Sequence, residues 1–460
     1  MSEGEVNMSA FLKIPETKIP VIAEADLVVV GGSCTGVFAA VRAARLGLDV
    51  VLVEKLNMLG GVATAGLVNV WHSLHDIYEQ KQVIAGLTEE TLQRLMKRSG
   101  AEKLDGVSQY AVPSHYNLNP WELTYVLDQY VQENKIRLLL HTSFVQAIKR
   151  DRKVEAVIVS NVDGLGAIKT KFVVDATGDG RVAKDLGCPV YYNDLLQPPT
   201  SCFLLQGEIP VEKWSEIVKR HGTEYGFSDD WGWWGNIAGL KDISLRADLH
   251  VFGVDCSKAA DLTYAEMEGR RQTMTYLEML NKYSGEDPMR VVAFGSTIGI
   301  RETAHYKTRY QANGEDLLQG KRYDAPIMNG TYRVDIHHKN SGGITFRYLD
   351  GREVVVIGNG TQVLRDDWRK RKGLTGDPAP YYQLPFEVFI GEEYDNFIAA
   401  GRMLNAEAEA FGAVRVMVNL NQIGEAAGTA AYVCLHTDKA LQAIDGKTVT
   451  ELLRKGGSAV

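Results

Sequence analysis

Three observations predict an α/β fold with a parallel sheet. A β-branched apolar run, Val28–Val30, breaks at Gly31-Gly32 and restarts at Val37 as an alanine-rich helix with only Arg42 and Arg45 polar. A second apolar run, Val50–Val53, follows at once and ends on Glu54. Two later runs, Phe172–Val174 and Phe397–Ala400, are again apolar and lead into Asp175-Ala176-Thr177-Gly178 and Gly401. Continuous apolar runs of this kind are what parallel strands buried on both faces require. Strand, glycine turn, helix, strand and acid, in that order, is the Rossmann-type layout that seats a dinucleotide pyrophosphate on a helix N-terminus.

Residues 1–24 form a polar lead-in with Pro15 and Pro20, without the basic and apolar regions of a signal peptide. Gly31 permits the tight turn out of the first strand. From Gly31 and Gly32 through Ser33, Cys34 and Thr35 to Gly36, the backbone N–H groups are free donors for phosphate oxygens. Gly36 lets the helix lie close on the strand. Ser33 departs from the G-x-G-x-x-G pattern, standing where its middle glycine is expected. Cys34 reads as small filler in the turn. Glu54, followed by Lys55, lies 23 residues after Gly31, near the spacing of about 20 at which a carboxylate meets an adenosine ribose.

Next comes a small-residue loop, Leu56–Gly66, containing Gly60, Gly61, Val62, Ala63 and Thr64; small side chains let backbone pass close to a flat ligand. The pattern predicts helices over 83–97 and 120–134, and strands over 136–140, 143–149, 154–160 and 169–175. Val145, in the strand at 143–149, is a candidate contact for the dinucleotide, and the strand at 169–175 runs into Ala176-Thr177-Gly178. From 190 to 385 the aromatic residues cluster, the strands read as longer and more alternating, and one long helix spans 259–283. Asn419–Val433 is a helix with Gly424 and Gly428 on one face. These shifts divide the chain into a dinucleotide-binding part (1–190), an inserted α+β substrate domain with a mixed or antiparallel sheet (191–385), and the completion of the first domain (386–460).

At 460 residues the chain exceeds one core. An apolar content of 45% with 23% charged residues is that of an ordinary globular protein. A net charge of −8, with no Lys/Arg stripe, argues against nucleic acid. No apolar run is long enough to span a bilayer. The five cysteines, Cys34, Cys188, Cys202, Cys256 and Cys434, are isolated, which argues against iron–sulfur clusters and structural zinc and fits free thiols in a reducing cytoplasm. No metal is expected.

VVVGGSCTG at 28–36 with Glu54, LGGVATAG at 59–66, VVDATGDG at 173–180, AAGR at 399–402 and GAVRVMVNLNQIGEAAGTAA at 412–431 together resemble the FAD-dependent oxidoreductases of the glutathione-reductase-like superfamily, distantly similar to fumarate reductase flavoproteins. IGIRETAHY at 298–306 and YRVDIHHK at 332–339 extend the resemblance over nearly the whole chain. The resemblance implies FAD as cofactor. It implies that Glu54 holds the ribose, that Gly60 and Gly61 pass beside the pyrophosphate or flavin, and that Ala176 to Gly178 close over the pyrophosphate. It places Gly401 and Arg402 near the ribityl chain and phosphates, and aims the helix from Asn419, with Gln422 and Ile423, at the flavin N1–C2=O edge. Such relatives often carry a histidine where this chain has Ala408, so a role borrowed from that histidine fails here.

A flavin takes hydride at N5, so the substrate needs a proton-handling group beside the ring. The candidates are Asp335, His337 and His338 in Val-Asp-Ile-His-His, with His337 and Asp335 on one strand face and His338 on the other. Arg301 and Glu302 read first as a structural ion pair and second as substrate anchor. His72 and His75 follow the small-residue loop, and one of them is a candidate for the cavity wall. Arg415 either binds a substrate carboxylate or fixes its loop, and Asn419 reads as an N-cap. Trp231-Gly-Trp-Trp234 reads equally as a cavity lip or as a loop packed on its own domain. Gly358-Asn-Gly360 lacks the helix and third glycine of a second dinucleotide site, which argues against a nicotinamide domain. The expected function is FAD-dependent hydride transfer to or from a small polar organic substrate such as a sugar derivative or hydroxy acid. An unidentified electron acceptor or donor completes the cycle, and homo-oligomerisation stays open. The alternative is a flavin-binding redox sensor or complex subunit without its own turnover.

Overall fold

The computed structural model describes residues 15–105, 114–194, 196–227, 232–338, 343–357 and 362–460; Trp231 and Gly358–Gly360, singled out above, lie outside the described residues. The organising element is a seven-stranded sheet. Its parallel part runs Arg137–Leu139, Val50–Val53, Val21–Val30, Gly164–Asp175, Phe397–Ala399. The first half of Gly164–Asp175 also pairs antiparallel with Lys153–Asn161, which pairs in turn with Ser143–Arg150. Leu27–Val30 and Val50–Val53 are buried on both faces, which is why they read as unbroken apolar runs. Leu27, Val29 and Leu52 join the core under the helices, while Val28, Val30 and Val51 pack with Val157, Val159 and Val182 on the other face.

Two helices cross on the first face, Cys34–Arg45 and Met417–Thr437. Cβ atoms at Gly424 and Gly428 would overlap the carbonyl oxygens of Thr35 and Ala39, so the two glycines permit backbone-to-backbone contact. The same crossing buries one ion pair. Arg42 donates to Glu425, both almost wholly buried. The other Glu425 oxygen accepts from Leu87 N at 2.9 Å and Arg42 donates to Gly456 O at 2.9 Å. One carboxylate therefore joins two crossing helices to the start of a third, Leu87–Met96. That helix begins four residues later than the periodicity predicts, because Gly86 has φ +70° and Glu425 caps Leu87. Glu425→Ala leaves a buried guanidinium unpaired and is expected to destabilise the fold by about 3–5 kcal/mol, read from urea unfolding. A loss below about 1 kcal/mol would show that water reaches Arg42.

Between 190 and 385 the strands are antiparallel, as expected, but short. One four-stranded sheet orders Trp233–Asn236, Ile243–His250, Thr200–Gln206, Arg290–Phe294; a second orders Val334–His337, Gly343–Arg347, Arg352–Ile357, Gln362–Asp367. The long helix spans Ala259–Ser284. Phe203, Trp214, Leu249, Tyr276 and Met279 form a core of their own, whereas Ile327, Tyr382 and Phe386 belong to the core that contains the dinucleotide helix. A three-stranded antiparallel sheet, Val70–His72, Ser114–Leu118, Ala101–Asp105, was not legible in the sequence. Its strands are three to five residues long and the outer one, Ala-Glu-Lys-Leu-Asp, is mostly charged, so no apolar alternation marks it. Among the described residues, no helix is long and apolar enough to cross a membrane.

Candidate active site

A cavity of about 1580 Å³ opens along the C-terminal ends of the parallel strands. Its floor is the first turn. Gly31 has φ +107°, and a Cβ there would fall 2.6 Å from the carbonyl carbon of Ala176. The two segments are locked by Ala176 N donating to Val30 O at 2.8 Å. A Cβ on Gly36 would overlap the Gly31 carbonyl oxygen. Ser33 needs no glycine. Its φ of −61° and ψ of 169° are ordinary extended backbone, and its Oγ accepts from Gly36 N at 3.4 Å as the helix N-cap. Gly31, Ser33, Cys34 and Thr35 face the cavity, with Gly32 and Gly36 behind them. Cys34 is buried beside Gly60 O, and burial pushes its thiol up to about 12, so it carries no thiolate.

The small-residue loop meets this turn through Gly60 N, which donates to Gly32 O at 2.8 Å. A Cβ on Gly61 would fall 2.9 Å from that of Ser33. Gly60, Gly61 and Val62 line the cavity, while Ala63 and Thr64 are buried behind it, Thr64 donating to Leu59 O at 2.6 Å. Glu54 ends its strand facing the cavity, accepting from Gly32 N at 2.5 Å and Leu56 N at 2.8 Å; Lys55 beside it is exposed. Val145 is 47% exposed and outside the lining; Thr142, Ser143 and Phe144 supply that edge.

Ala176, Thr177 and Gly178 continue the wall. They are held by the buried Asp175, which accepts from Thr177 N and Oγ1 at 3.0 and 2.7 Å and from Val182 N and Ala183 N at 2.9 and 3.0 Å. Gly401, at φ +130°, and Arg402 complete it; Arg402 pairs with Asp179, and a Cβ on Gly178 would overlap its guanidinium.

The helix Met417–Thr437 turns a different face to the cavity from the one expected. Arg415, Met417, Leu420 and Asn421 line it. Asn419, Gln422 and Ile423 point into the core. Asn419 donates to Tyr382 Oη and Ala413 O, both at 3.1 Å, and Gln422 donates to Asn329 O at 2.8 Å. At 100° per residue, a shift of two positions moves a side chain to the other side of the helix. Asn419 is also not the N-cap, since the helix begins two residues before it, after Val416. Asn421 is wholly buried, lines the cavity, and neither atom of its amide has a partner among the described residues. A buried amide left unpaired costs about 1–3 kcal/mol per group, which a ligand removes. Three of the six N–H groups expected to be free are taken, Gly31 N by Val53 O at 2.8 Å, Gly32 N by Glu54 at 2.5 Å and Gly36 N by Ser33 Oγ at 3.4 Å. An unfilled amide, a glycine cradle that any Cβ would block and the helix N-terminus at Cys34 and Thr35 fit a bound FAD.

A second polar group lines the same cavity. Asp335 and His337 project from one face of Val334–His337, with His337 Nε2 3.7 Å from Asp335 Oδ1. His338, on the other face, lies 2.8 Å from Thr345 Oγ1. Tyr332 Oη donates to Asp335 Oδ2 at 2.7 Å, and Arg415 Nη2 lies 3.4 Å from Oδ1. The rings of His72 and Tyr332 are 4.1 Å apart and those of His250 and His337 4.6 Å. Burial, with the charges of Arg301 and Arg415 and the neighbouring His250 and His338, holds the His337 imidazolium well below the usual range; burial, Arg333, His115 and Arg415 do the same to His72. Both are neutral bases near pH 7. His75 sits outside the lining, 3.9 Å from Glu79.

Arg301 and Glu302 do not pair. Arg301 reaches the cavity, donating to Pro198 O at 2.7 Å and to Thr200 Oγ1. Glu302 is buried against His305 Nε2 at 2.9 Å and Asn193 Nδ2 at 2.6 Å. Trp233 and Trp234 line the far arm with Trp214, on which the Arg246 guanidinium stacks at 3.7 Å. Sequence reasoning missed Trp214 and Arg246, which become neighbours only in the fold, and passed over Asp179 and Asn421 inside the motifs at 173–180 and 412–431. Tyr332 and Arg333 lay inside a quoted motif but were overshadowed by its histidines.

A search of curated protein sequences finds no match. Among solved structures, the chain is similar to an L-amino acid deaminase from Proteus vulgaris, at 13% identity and a TM-score of 0.44, covering 95% of this chain and 98% of that one. It is also similar to a geranylgeranyl bacteriochlorophyll reductase-like protein from Thermoplasma acidophilum, at 10% identity and a TM-score of 0.43, covering 94% and 82%. A third, p-nitrophenol 4-monooxygenase from Pseudomonas putida, has 11% identity and a TM-score of 0.43, covering 94% and 84%. Residues 26–453 match the family model described as FAD dependent oxidoreductase, and with that match across nearly its whole length the chain belongs to the FAD-dependent oxidoreductases.

Proposed function

We propose that this enzyme transfers hydride between a small polar organic substrate, such as a hydroxy acid or sugar derivative, and FAD, with His337 handling the substrate proton. When bound, the flavin supplies the hydride-accepting N5. The observation that carries the reading is the Tyr332–Asp335–His337–Arg415 cluster, which opens into the same cavity as the dinucleotide turn. His337, neutral before reaction, accepts a proton at Nε2. Asp335 then lies where its charge stabilises the imidazolium. Arg415 and the Tyr332 hydroxyl hold Asp335 in place, and Arg301 serves as a substrate anchor from the neighbouring wall. In this reading 1–190 and 386–460 carry the cofactor, through the turn at 31–36, Glu54, the 60–62 loop, 176–178, 401–402 and Asn421, while 191–385 supplies the facing wall. A second redox partner, such as oxygen, a quinone or a carrier protein, completes the cycle.

The test is anaerobic addition of hydroxy acids and sugar derivatives to the FAD-loaded protein while its visible flavin band is followed. Bleaching by at least one, dependent on His337, is the expected outcome. Bleaching at the same rate without His337 would return the chain to a flavoprotein whose chemistry lies elsewhere.

A further inference from the structure

The cavity wall that carries Asp335 and His337 sets two arginines, Arg333 and Arg415, around one carboxylate, Asp335. Arg301 is anchored on Pro198 and Thr200. Arg415 meets Asp335 at 3.4 Å, but without hydrogen-bond geometry, and its Nε and Nη2 have no hydrogen-bond partner. Arg333 has no ion pair among the described residues, and its Nε, shielded from solvent, donates to nothing. Its guanidinium is held by rings instead, 4.1 Å from the centroid of Phe346, 4.9 Å from Tyr332 and 5.7 Å from Tyr348.

An arginine N–H shielded from water without a hydrogen bond is costly, as at Arg333 Nε and at Arg415 Nε and Nη2, and an anion that fills such donors removes that cost. The guanidinium itself constrains the anion's shape. It keeps its N–H groups in one plane, the arrangement that meets a planar carboxylate edge-on through two parallel bonds. The neighbouring imidazoles His72 and His337 are neutral, so they donate or accept beside the anion without repelling it.

We propose that Arg333 and Arg415 form an anion subsite that takes a carboxylate of the substrate, so that among the small polar molecules considered above this enzyme acts on a carboxylic acid. This rests on reading the cavity as the substrate site. It gives the Tyr332–Arg333 pair a role beyond packing: Tyr332 fixes Asp335, while Arg333 fixes the substrate beside His337.

The test uses the FAD-loaded protein and sodium oxalate as probe, titrated at constant ionic strength while the flavin difference spectrum and the thermal midpoint are recorded. Saturable binding is expected, with inorganic sulfate and phosphate at least tenfold weaker. Arg333→Met is expected to weaken oxalate at least tenfold with its FAD content unchanged. Arg333→Lys, which keeps the charge but not the fork, is expected to fall between and decides the matter if the methionine variant does not fold. Four results would overturn the proposal: no saturable oxalate binding, sulfate or phosphate binding as tightly as oxalate, variants that titrate like the parent, or loss of FAD from the Arg333 variants, which would assign the guanidinium to the cofactor. Oxalate binding that depends on Arg333, together with flavin bleaching that ignores His337, would leave the subsite standing and remove the proton-transfer assignment instead.

Discussion

Gly36→Ala is expected to purify without its flavin. The added Cβ would overlap the Gly31 carbonyl oxygen and come within 3.1 Å of Ala176 Cβ. Neither neighbour has room to yield. Gly31 N donates to Val53 O at 2.8 Å, Ala176 N donates to Val30 O at 2.8 Å, and Gly31 is already held at φ +107°. The helix must therefore move away from the turn, carrying with it the N–H groups of Cys34 and Thr35 that would hold the phosphates of a bound FAD. Overpacking of this kind costs about 1–3 kcal/mol in stability. The effect on cofactor retention is larger, because several donors lose their aim together. The ratio of visible to protein absorbance after purification and FAD reconstitution measures it, with far-ultraviolet circular dichroism confirming the fold. Gly428→Ala is the control. It presses on Ala39 O in the same pair of helices but away from the turn, so it should lower the thermal midpoint and keep the flavin. A yellow Gly36→Ala protein with full FAD content would show that the turn tolerates displacement and that affinity comes mainly from Glu54, Arg402 and Asn421.

The second large effect is that of His337→Gln. Removing a positioned general base typically slows the chemical step by about 10²–10⁴-fold. The variant is expected to keep its FAD and lose anaerobic flavin reduction by that factor. Its pH behaviour separates a proton-handling residue from a packing residue. Burial and the charges of Arg301 and Arg415 lower the His337 pKa, so the parent's rate should hold through neutrality and fall only below pH 6.5. Stability follows with the same sign. The unfolded histidine takes up a proton near 6.5 while the folded one does not, so the unfolded chain binds more protons below that pH. The folded state then loses up to about 1.4 kcal/mol per pH unit from this residue as pH falls. Urea midpoints at pH 7.5, 6.0 and 5.0 should therefore drop less steeply in His337→Gln than in the parent. Equal slopes, or an unchanged rate of flavin reduction, would place His337 among ordinary sheet histidines.

Several features of the site could be read from residues alone because they follow from local rules. Gly31 and Gly36 are glycines for reasons that act within one turn, and Glu54 stands at the end of an apolar strand at a known spacing. Asp335 and His337 share a face because side chains alternate along a strand. Other features depended on contacts between distant segments. Ser33 looked like a flaw in the turn, yet its N-capping hydrogen bond and extended φ show how a serine serves there. The face of the last helix was misjudged by two residues. Sequence gives the period of a helix, whereas its rotation is set by the glycines at 424 and 428 lying on Thr35 and Ala39. The Arg301–Glu302 pairing, natural in sequence, gave way to Glu302 with His305, because a buried carboxylate takes the donors that the fold brings to it.

By itself, then, the sequence determined the α/β class, the dinucleotide turn and the strand that carries Asp335 and His337, since each rests on periodicity or on spacings within a few dozen residues; the FAD family was legible through the resemblance of motifs spread from 28 to 431. Only the tertiary structure decided that Asn421 rather than Asn419 faces the cavity. It also decided that Arg42 finds its partner in Glu425, and that Arg333 and Arg415 stand with His72 and His337 around one space. Those outcomes depend on how helices rotate and sheets pack to bury apolar area. Burial is what leaves an amide or a guanidinium without water, and so gives it a reason to hold a ligand.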